Sequence, residues 1–302
     1  MKKQDFYDIA HVAHDTGRMI ESYMIKYLLK EVSGEDVIKE LSRFQNNDGG
    51  FGHGLEPDCW NPFSSPIQTQ FAMGYLRLIE FDKNDEVINK MMKYLEKTYD
   101  QKLRKWHLLL PSNDHYPHAP WWSYREYKED YNPSASIAGF IIKYGKPKTK
   151  SLKFALEVAF DVMEDLMKNR ISKEPHELSS LIDLFDDASE FFKTHHNFEI
   201  AKNILINLIG EVIEKDHEKW FSSYVTKPSV LIHSKESIGY EKYKDLLHLE
   251  FREAMNHRNE FKIWPVTWTW TEYLNVFNEA KEIWGSIIAL KYLYLMQHNI
   301  EE

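Results

Sequence analysis

The segment from Phe44 to Trp60 constrains the fold of this chain more than any other. Four of the chain's 12 glycines lie in it, at positions 49, 50, 52 and 54. Because glycine adopts positive φ without steric cost, Asp48-Gly49-Gly50 predicts a left-handed cap on the preceding helix, with Gln45 bonding the open helix end. Phe51 follows and is expected to wedge between neighbouring helices. The segment therefore predicts a corner between an inner and an outer helix.

The remaining sequence has the periodicity of helices. Apolar residues recur at three- and four-residue spacing, and alternating strand patterns bounded by turns are nearly absent. The spacing predicts helices over 4–31 with a break near Gly17, and over 35–46, 66–80, 85–99, 133–144, 149–169, 175–193, 198–214, 237–257 and 276–298. Ser65-Pro66 and Asn132-Pro133 are typical helix starts. The chain is predicted to be all-α.

A degenerate repeat is visible when polar corners that end in an aromatic residue are aligned. The corners are 48–51, 100–106, 216–220 and 259–264. Their period is about 50 residues, which is enough for one helical hairpin per unit. About five or six hairpins fit in the chain, and we expect 1–302 to form a single α/α toroid domain with inner and outer helix rings. An open superhelical stack is the alternative, but the apolar last helix favours closure.

Composition limits the partners and the compartment. The net charge of −9 argues against nucleic acid as a partner, because phosphate binding needs clustered Lys and Arg. The single cysteine, Cys59, excludes an internal disulfide framework and a multi-cysteine zinc site. The first residues lack the apolar run of a signal peptide, and no stretch approaches the roughly 20 apolar residues that span a bilayer. We therefore expect a cytoplasmic protein without an integral membrane segment, of undetermined oligomeric state.

Three loops combine aromatic and ionisable residues, and in a toroid such loops surround a central cavity. The first carries His53, Glu56, Asp58 and Trp60; the second carries His115, His118, Trp121, Trp122 and Tyr124; the third carries Trp264, Trp268, Trp270 and Glu272. A small-molecule ligand, either apolar or a sugar, is the partner that these loops predict.

The first loop supplies the candidate catalytic residues Glu56, Asp58 and His53. A carboxyl group buried beside Trp60 in an apolar cavity has a raised pKa, which suits an acid or a base. The structural alternative is that Glu56 and Asp58 anchor the loop by accepting backbone N–H bonds. Both interpretations stay open at this point.

The spacing of His115 and His118 could place two imidazoles on one metal, with Asp114 or His53 as a third ligand. Pro117 prevents a helix from aligning them, so no metal or other cofactor is predicted and both histidines are assigned to ligand binding. The tryptophans and Tyr124 are interpreted as an aromatic cage, because aromatic faces stabilise carbocations and stack on sugar rings. The alternative is that they fill the space between helix ends.

The corner at Gln45 and Asp48–Phe51, together with the helix that starts at Pro66, resembles the repeat of squalene cyclases and protein prenyltransferase β subunits. Weaker similarity occurs at later corners and at Trp284-Gly285. The resemblance implies an α/α toroid whose cavity, in that superfamily, holds isoprenoid chains. The catalytic patterns of that superfamily are absent. Class II cyclases use an Asp-any-Asp-Asp run, which this chain lacks. Prenyltransferases bind zinc through an aspartate and a cysteine two positions later, whereas here Asp58 directly precedes Cys59. The chain looks more like uncharacterised bacterial proteins of this fold, with 117–122 as their hallmark.

A second acidic segment, 186–190, imitates the magnesium-binding motif of class I terpene synthases. It is expected to be a solvated helix face, since Phe185 and Phe191 indicate amphipathic packing.

Three functions follow as hypotheses. The first is an enzyme similar to terpenoid cyclases and prenyltransferases, with Glu56 or Asp58 as acid or base. The second is a carbohydrate-active toroid enzyme that takes a carboxyl pair from Asp58, Glu56 and Glu272. The third is a non-catalytic binding protein for a lipid or a peptide.

Overall fold

The computed structural model describes residues 3–126, 130–259 and 263–297. Within these ranges the chain forms twelve α-helices and isolated β-bridges but no β-strand, which confirms the all-α prediction. The helices are α1 (Lys3–Thr16), α2 (Met19–Leu28), α3 (Gly34–Leu41), α4 (Pro66–Leu76), α5 (Glu86–Thr98), α6 (Ser134–Tyr144), α7 (Lys150–Met167), α8 (Pro175–Ala188), α9 (His196–Val212), α10 (Pro228–Leu231), α11 (Tyr240–Asn256) and α12 (Leu274–Met296).

Local sequence signals account for most of the helix boundaries. The break predicted near Gly17 separates α1 from α2. The Ser65 side chain accepts a hydrogen bond from the Gln68 backbone N–H, 3.2 Å away, and Pro66 occupies the first turn of α4. The short helix α10 was not predicted, because a segment of four residues has no periodicity to detect.

The glycine corner differs from the predicted helix cap. After α3 the chain makes a 3-10 turn over Ser42–Phe44, and Gln45 is already extended. Gly49, with φ of +95°, lies in a turn that is closed by an antiparallel β-bridge between Gln45 and Phe51. The Gln45 amide donates to the carbonyl oxygens of Gly49 and Val87, at 3.0 and 2.9 Å, so it joins the corner to α5 and does not cap α3. Phe51 is fully buried, as predicted.

The helices pack in two series that follow the chain order. Among the even-numbered helices, α4 contacts α6, α6 contacts α8, α8 contacts α10, and α12 contacts α2. Among the odd-numbered helices, α5 contacts α7 and α7 contacts α9. Because α1 and α2 both pack against α12, the first and last helices of the described chain are neighbours.

The segments that precede the even-numbered helices contact one another. The contacts join Cys59 to His118, Tyr131 to Glu177, His176 to Tyr224, Tyr224 to Trp268, and Trp268 to Asp58. These contacts bring the starts of α4, α6, α8, α10 and α12 to one end of the molecule, which we call the loop end.

Two hydrophobic clusters stabilise this arrangement. The larger one lies between the helices and includes Phe51, Trp106 and Trp264. The smaller one lies at the loop end and consists of Cys59, Ile67, Leu109, Ala119, Trp122, Trp270, Phe277 and Ala280. The smaller cluster fixes the loops before α4, α6 and α12 to each other, because each loop contributes a buried side chain to it.

The last helix, α12, packs against both α1 and α2 and buries residues along its whole length, as its apolar sequence predicts. Part of its surface is only half-buried, at Trp284, Ile287, Ile288, Lys291 and Tyr294. These positions are three or four residues apart, so they share one face of the helix. In the described ranges, no helix is both long enough and apolar enough to cross a membrane.

Candidate functional site

The loop from His53 to Trp60 is held rigidly between α2 and α4. The Arg18 guanidinium, at the start of α2, donates to the carbonyl oxygens of Gly54 and Leu55, at 2.7 and 3.1 Å. From the other side, the Gln68 carboxamide accepts a bond from the Leu55 N–H at 2.9 Å. Gly54 has a φ of +69°, a left-handed conformation that glycine adopts without strain. These bonds fix the backbone that carries the two candidate carboxyl groups.

Asp58 is enclosed by tryptophan side chains. Trp270 Nε1–H donates to one carboxylate oxygen at 2.9 Å, and Trp268 Nε1–H donates to the other at 3.1 Å. Burial raises the pKa of Asp58 to about 6, although the indole groups of Trp270, Trp284 and Trp268 each oppose that rise. The carboxyl group therefore titrates close to neutral pH, where a group can both give and take a proton.

Glu56 lies beside Asp58 and is buried as deeply. Only 5% of its surface is exposed, and its Oε2 atom has no hydrogen-bond partner. Burial raises the pKa of Glu56 well above its ordinary value, and the charge of Asp58 raises it further. The Asp58 backbone N–H, Arg18 and Trp122 lower it by smaller amounts. The surroundings of Glu56 therefore favour its protonated form.

Cys59 follows Asp58 but has a different character. Its side chain is fully buried, and burial together with the charge of Glu56 raises the pKa of the thiol to about 12. A thiol that keeps its proton is neither a good nucleophile nor a good metal ligand. In the described part of the chain, no group of three or more His, Cys, Asp or Glu side chains is arranged to hold a metal ion.

A chain of side-chain contacts extends from Asp58 to the surface. Trp268 is half-buried and makes edge-to-face contact with Tyr224 at 5.9 Å between ring centroids. The Tyr224 hydroxyl lies 3.2 Å from Nε2 of His176, and Nδ1 of His176 lies 2.6 Å from the Glu174 carboxylate. Tyr224 is 63% exposed, so this side of the site is open to solvent.

The sequence interpretation did not assign Glu174, His176 or Tyr224 to the site. The hydrogen bond and the charge of Glu174 raise the pKa of His176, although burial opposes them. Glu174-Pro175-His176 is the start of α8, so it lies at the same end as the three loops that were assigned. Their position at a helix start was the available signal. Using that signal requires knowing the order in which the helices pack, which the sequence does not give.

The structure brings together five of the residues that the sequence assigned to the site. The residues that meet at the loop end are Glu56, Asp58, Trp122, Trp268 and Trp270. Trp60 is partly buried and packs against the smaller hydrophobic cluster. Trp60 Nε1–H donates to the Pro57 carbonyl oxygen at 2.9 Å, so it stabilises the loop itself.

Other assigned residues occupy different surroundings. Trp264 is buried in the larger hydrophobic cluster, where its Nε1–H donates to the Ala254 carbonyl oxygen at 2.8 Å and its ring packs against Tyr292. It fills the space between helices, as the structural alternative proposed. His53 is exposed and its ring bonds Asn46 at 2.9 Å, while Glu272 is exposed on the third loop.

Hydrogen bonds of a buried histidine organise the second loop. His118 is buried, with Nδ1 2.6 Å from the Tyr116 carbonyl oxygen and Nε2 2.9 Å from the Ser123 hydroxyl, whereas His115 is exposed. The exposed side chains of this loop include Trp121 and Tyr124, which are 39% and 47% accessible. They present aromatic surface to solvent at the loop end.

The acidic segment on α8 is not a solvated helix face. Asp187 accepts hydrogen bonds from Arg77 at 2.8 Å and from Lys143 at 3.0 Å. Asp186 accepts bonds from the Ser237 hydroxyl and the Ile238 backbone N–H. The expectation of a solvated face was wrong for these two carboxylates, because they find partners just after α4, on α6 and after α10, whereas Ser189 and Glu190 are exposed.

No protein-family model, no curated protein and no solved structure matches the chain.

Proposed function

We propose that this protein is an acid–base enzyme with the architecture of an α/α toroid, and that Glu56 and Asp58 are its catalytic carboxyl groups. The ordered contacts within the even-numbered and odd-numbered helices support an inner ring inside an outer one. The packing of α1 and α2 against α12 supports closure of the rings. The convergence of the loops at one end supports a single central site.

The two indole N–H bonds on the Asp58 carboxylate carry this proposal. They hold both carboxylate oxygens in place, while burial and the charge of Asp58 favour the protonated form of the neighbouring Glu56. Two adjacent carboxyl groups whose surroundings separate their protonation states are the arrangement that general acid–base catalysis uses. Glu56 is assigned as the proton store and Asp58 as the group that faces the ligand, because Trp268 beside it is only half-buried.

A carbohydrate is the substrate class that this acid suits best. Protonation of an alkene requires a strong acid, and burial makes both carboxyl groups weaker acids than free Asp or Glu. Protonation of a glycosidic oxygen instead uses a carboxyl group with a raised pKa, next to a carboxylate that stabilises the developing cation. The exposed rings of Trp121, Tyr124 and Tyr224 offer faces on which sugar rings stack.

An isoprenoid-like, apolar ligand is the second candidate, and the half-buried face of α12 favours it. Trp284, Ile287 and Ile288 leave apolar surface uncovered along that helix, and the edges of the Phe71 and Trp268 rings pack against Trp284. A long hydrocarbon chain placed along this face would bury that surface. This candidate agrees with the resemblance of the glycine corner to the squalene cyclase repeat.

A binding screen against defined panels of compounds tests the proposal. The wild-type protein is screened by thermal shift and native mass spectrometry against neutral oligosaccharides and against farnesyl and geranylgeranyl alcohols and diphosphates. We expect an oligosaccharide to bind and to be cleaved or isomerised, with turnover followed by chromatography. Asp58→Asn and Glu56→Gln should each reduce turnover by about 10²-fold or more, as loss of a general acid or base does.

The matched control is Glu279→Gln, which removes an exposed carboxylate close to the third loop. It should leave turnover within about twofold of the wild type. Binding of an isoprenoid and of no saccharide would favour the second candidate. Binding that all variants retain, without turnover, would support the non-catalytic interpretation and remove Glu56 and Asp58 from the mechanism.

A further inference from the structure

One face of α4 borders open space. Gly74, in the middle of this helix, is exposed, and a Cβ atom built on it would meet no heavy atom within 4 Å. On the same face, Gln70 donates to the Ser136 hydroxyl on α6, and Arg77 bonds Asp187 on α8. On the neighbouring face, Phe71 packs against Trp284 on α12. The open space beside Gly74 therefore borders the contacts that this part of the chain makes with α6, α8 and α12.

A serine, a histidine and an aspartate are aligned at the edge of this space. The Ser179 hydroxyl oxygen lies 3.1 Å from Nε2 of His233, and Nδ1 of His233 lies 3.0 Å from Oδ1 of Asp183. Ser179 and Asp183 are one turn apart on α8, and His233 follows α10. The side chains of His233 and Asp183 are 24% and 14% exposed to solvent, and Ser179 is half-buried, so the three side chains are accessible.

The aspartate is held in its ionised form. The Ser136 hydroxyl donates to Asp183 Oδ2 at 2.6 Å, and the Arg77 guanidinium lies 3.5 Å from the same oxygen. Although burial opposes ionisation, the charge of Arg77 and the bonds from His233 and Ser136 keep the pKa of Asp183 below its usual range. An ionised Asp183 accepts a bond from Nδ1–H of His233. Nε2 lies between the Ser179 hydroxyl and the Val230 carbonyl oxygen, so in the neutral imidazole it accepts from Ser179, and once protonated it donates to Val230.

We propose that Ser179, His233 and Asp183 form a nucleophilic triad that cleaves a carboxylic ester in the space beside Gly74. The three roles match those of serine hydrolases, which are recognised by geometry on unrelated folds. This activity goes beyond the proposed carboxyl chemistry, because it uses none of the loop-end carboxyl groups.

The chemistry balances with water as the co-reactant. Ser179 Oγ attacks the ester carbonyl carbon while its proton moves to His233 Nε2, and the protonated imidazole then gives that proton to the departing alkoxide as the C–O bond breaks. Water attacks the acyl-serine in the second half, with His233 again taking and returning the proton. The Val230 carbonyl oxygen, 3.0 Å from Nε2, stabilises the protonated imidazole.

Labelling with diisopropyl fluorophosphate tests the triad. The probe forms a covalent bond with an activated serine and releases fluoride, and peptide mass spectrometry locates the adduct. We expect stoichiometric labelling at Ser179 in the full-length protein, with matching loss of hydrolysis of p-nitrophenyl acetate. His233→Gln should reduce the labelling rate by about 10²-fold or more, and Asp183→Asn should reduce it as well.

Ser189→Ala, which removes an exposed serine just after α8, is the matched control and should label like the wild type. Labelling at Ser179 uses neither Glu56 nor Asp58, so failure of the triad and failure of the carboxyl mechanism are separate results. Wild-type protein that stays unlabelled at Ser179 under conditions that label a known serine hydrolase overturns the proposal. A folded His233→Gln variant, checked by circular dichroism, that labels at the wild-type rate overturns it too.

Discussion

Asp58 and Trp270 are 212 residues apart in the sequence, and a hydrogen bond of 2.9 Å joins the indole Nε1–H to the carboxylate. This bond ties the loop before α4 to the loop before α12. The second bond, from Trp268, ties the same two loops again. The carboxyl group is therefore both a structural link and the centre of the candidate site, and experiments that separate these two roles are the most informative.

Trp270→Phe should raise the pKa of Asp58 further above its already raised value of about 6. The ring of phenylalanine keeps most of the packing but lacks the N–H that stabilises the ionised carboxylate. We expect the free energy of unfolding to fall by roughly 2 kcal/mol, the size of a lost hydrogen bond to a charged group. Carboxyl-carbon NMR titration measures the pKa, and urea denaturation measures the stability.

Trp220→Phe is the control for this change. Trp220 is buried as well, but its indole N–H donates to the Glu214 carbonyl oxygen, at 3.0 Å. It should cost stability without moving the pKa of Asp58. Equal titration curves for Trp270→Phe and the wild type would show that the bond does not stabilise the charge.

The stability of the wild type relative to Asp58→Asn should depend on pH with a defined sign. The pKa of Asp58 is about 6 in the folded protein against a reference value of 3.8, so the folded state holds the proton more tightly than the unfolded state. The stabilisation of the folded state by the Asp58 proton is complete below pH 3.8, decreases as the pH rises to about 6, and is lost above that value. The difference in free energy of unfolding should therefore fall by about 3 kcal/mol between acid and neutral pH.

Urea denaturation of both proteins at a series of pH values measures this difference. Glu279→Gln, in contrast, should follow the wild type in parallel, since Glu279 is exposed. A difference between wild type and Asp58→Asn that rises with pH would mean that Asp58 is stabilised as the anion.

Glu174→Gln should lower the pKa of His176 toward its ordinary value. The Glu174 carboxylate is the main group that raises it, through a hydrogen bond of 2.6 Å and its charge. Glutamine keeps an oxygen that can accept the Glu177 N–H at the start of α8, so the helix cap is preserved. The titration of the His176 ring is followed by NMR. Glu211→Gln, which changes an exposed carboxylate on α9, should leave it unchanged.

Two glycine substitutions in helices should have opposite effects. Gly74→Ala places a methyl group in open space and should stabilise the protein by about 0.5–1 kcal/mol, because alanine restricts the unfolded chain and favours helix. In Gly139→Ala the new Cβ would lie 2.7 Å from Leu184 Cα, where α6 packs on α8, so we expect destabilisation of more than about 2 kcal/mol. Thermal unfolding of both variants measures the contrast. Destabilisation by Gly74→Ala would place that residue in a packed interface.

Helix periodicity carried most of the fold prediction. The predicted segments correspond to eleven of the twelve helices, and boundary differences are concentrated at turns such as the one after α3. Four-residue α10 escaped detection because packing, not local pattern, holds it in place. The Gln45 prediction failed for a related reason: its partner on α5, Val87, is 42 residues away.

The sequence by itself determined where the chain is helical and which loops carry aromatic and acidic side chains, because both follow from residues close together in the chain. The tertiary structure alone decided which of these side chains meet. It selected Trp268 and Trp270 over Trp264, added Glu174, His176 and Tyr224, and aligned Ser179 with His233. Contacts between distant segments depend on how the helices pack, and local periodicity does not encode that order.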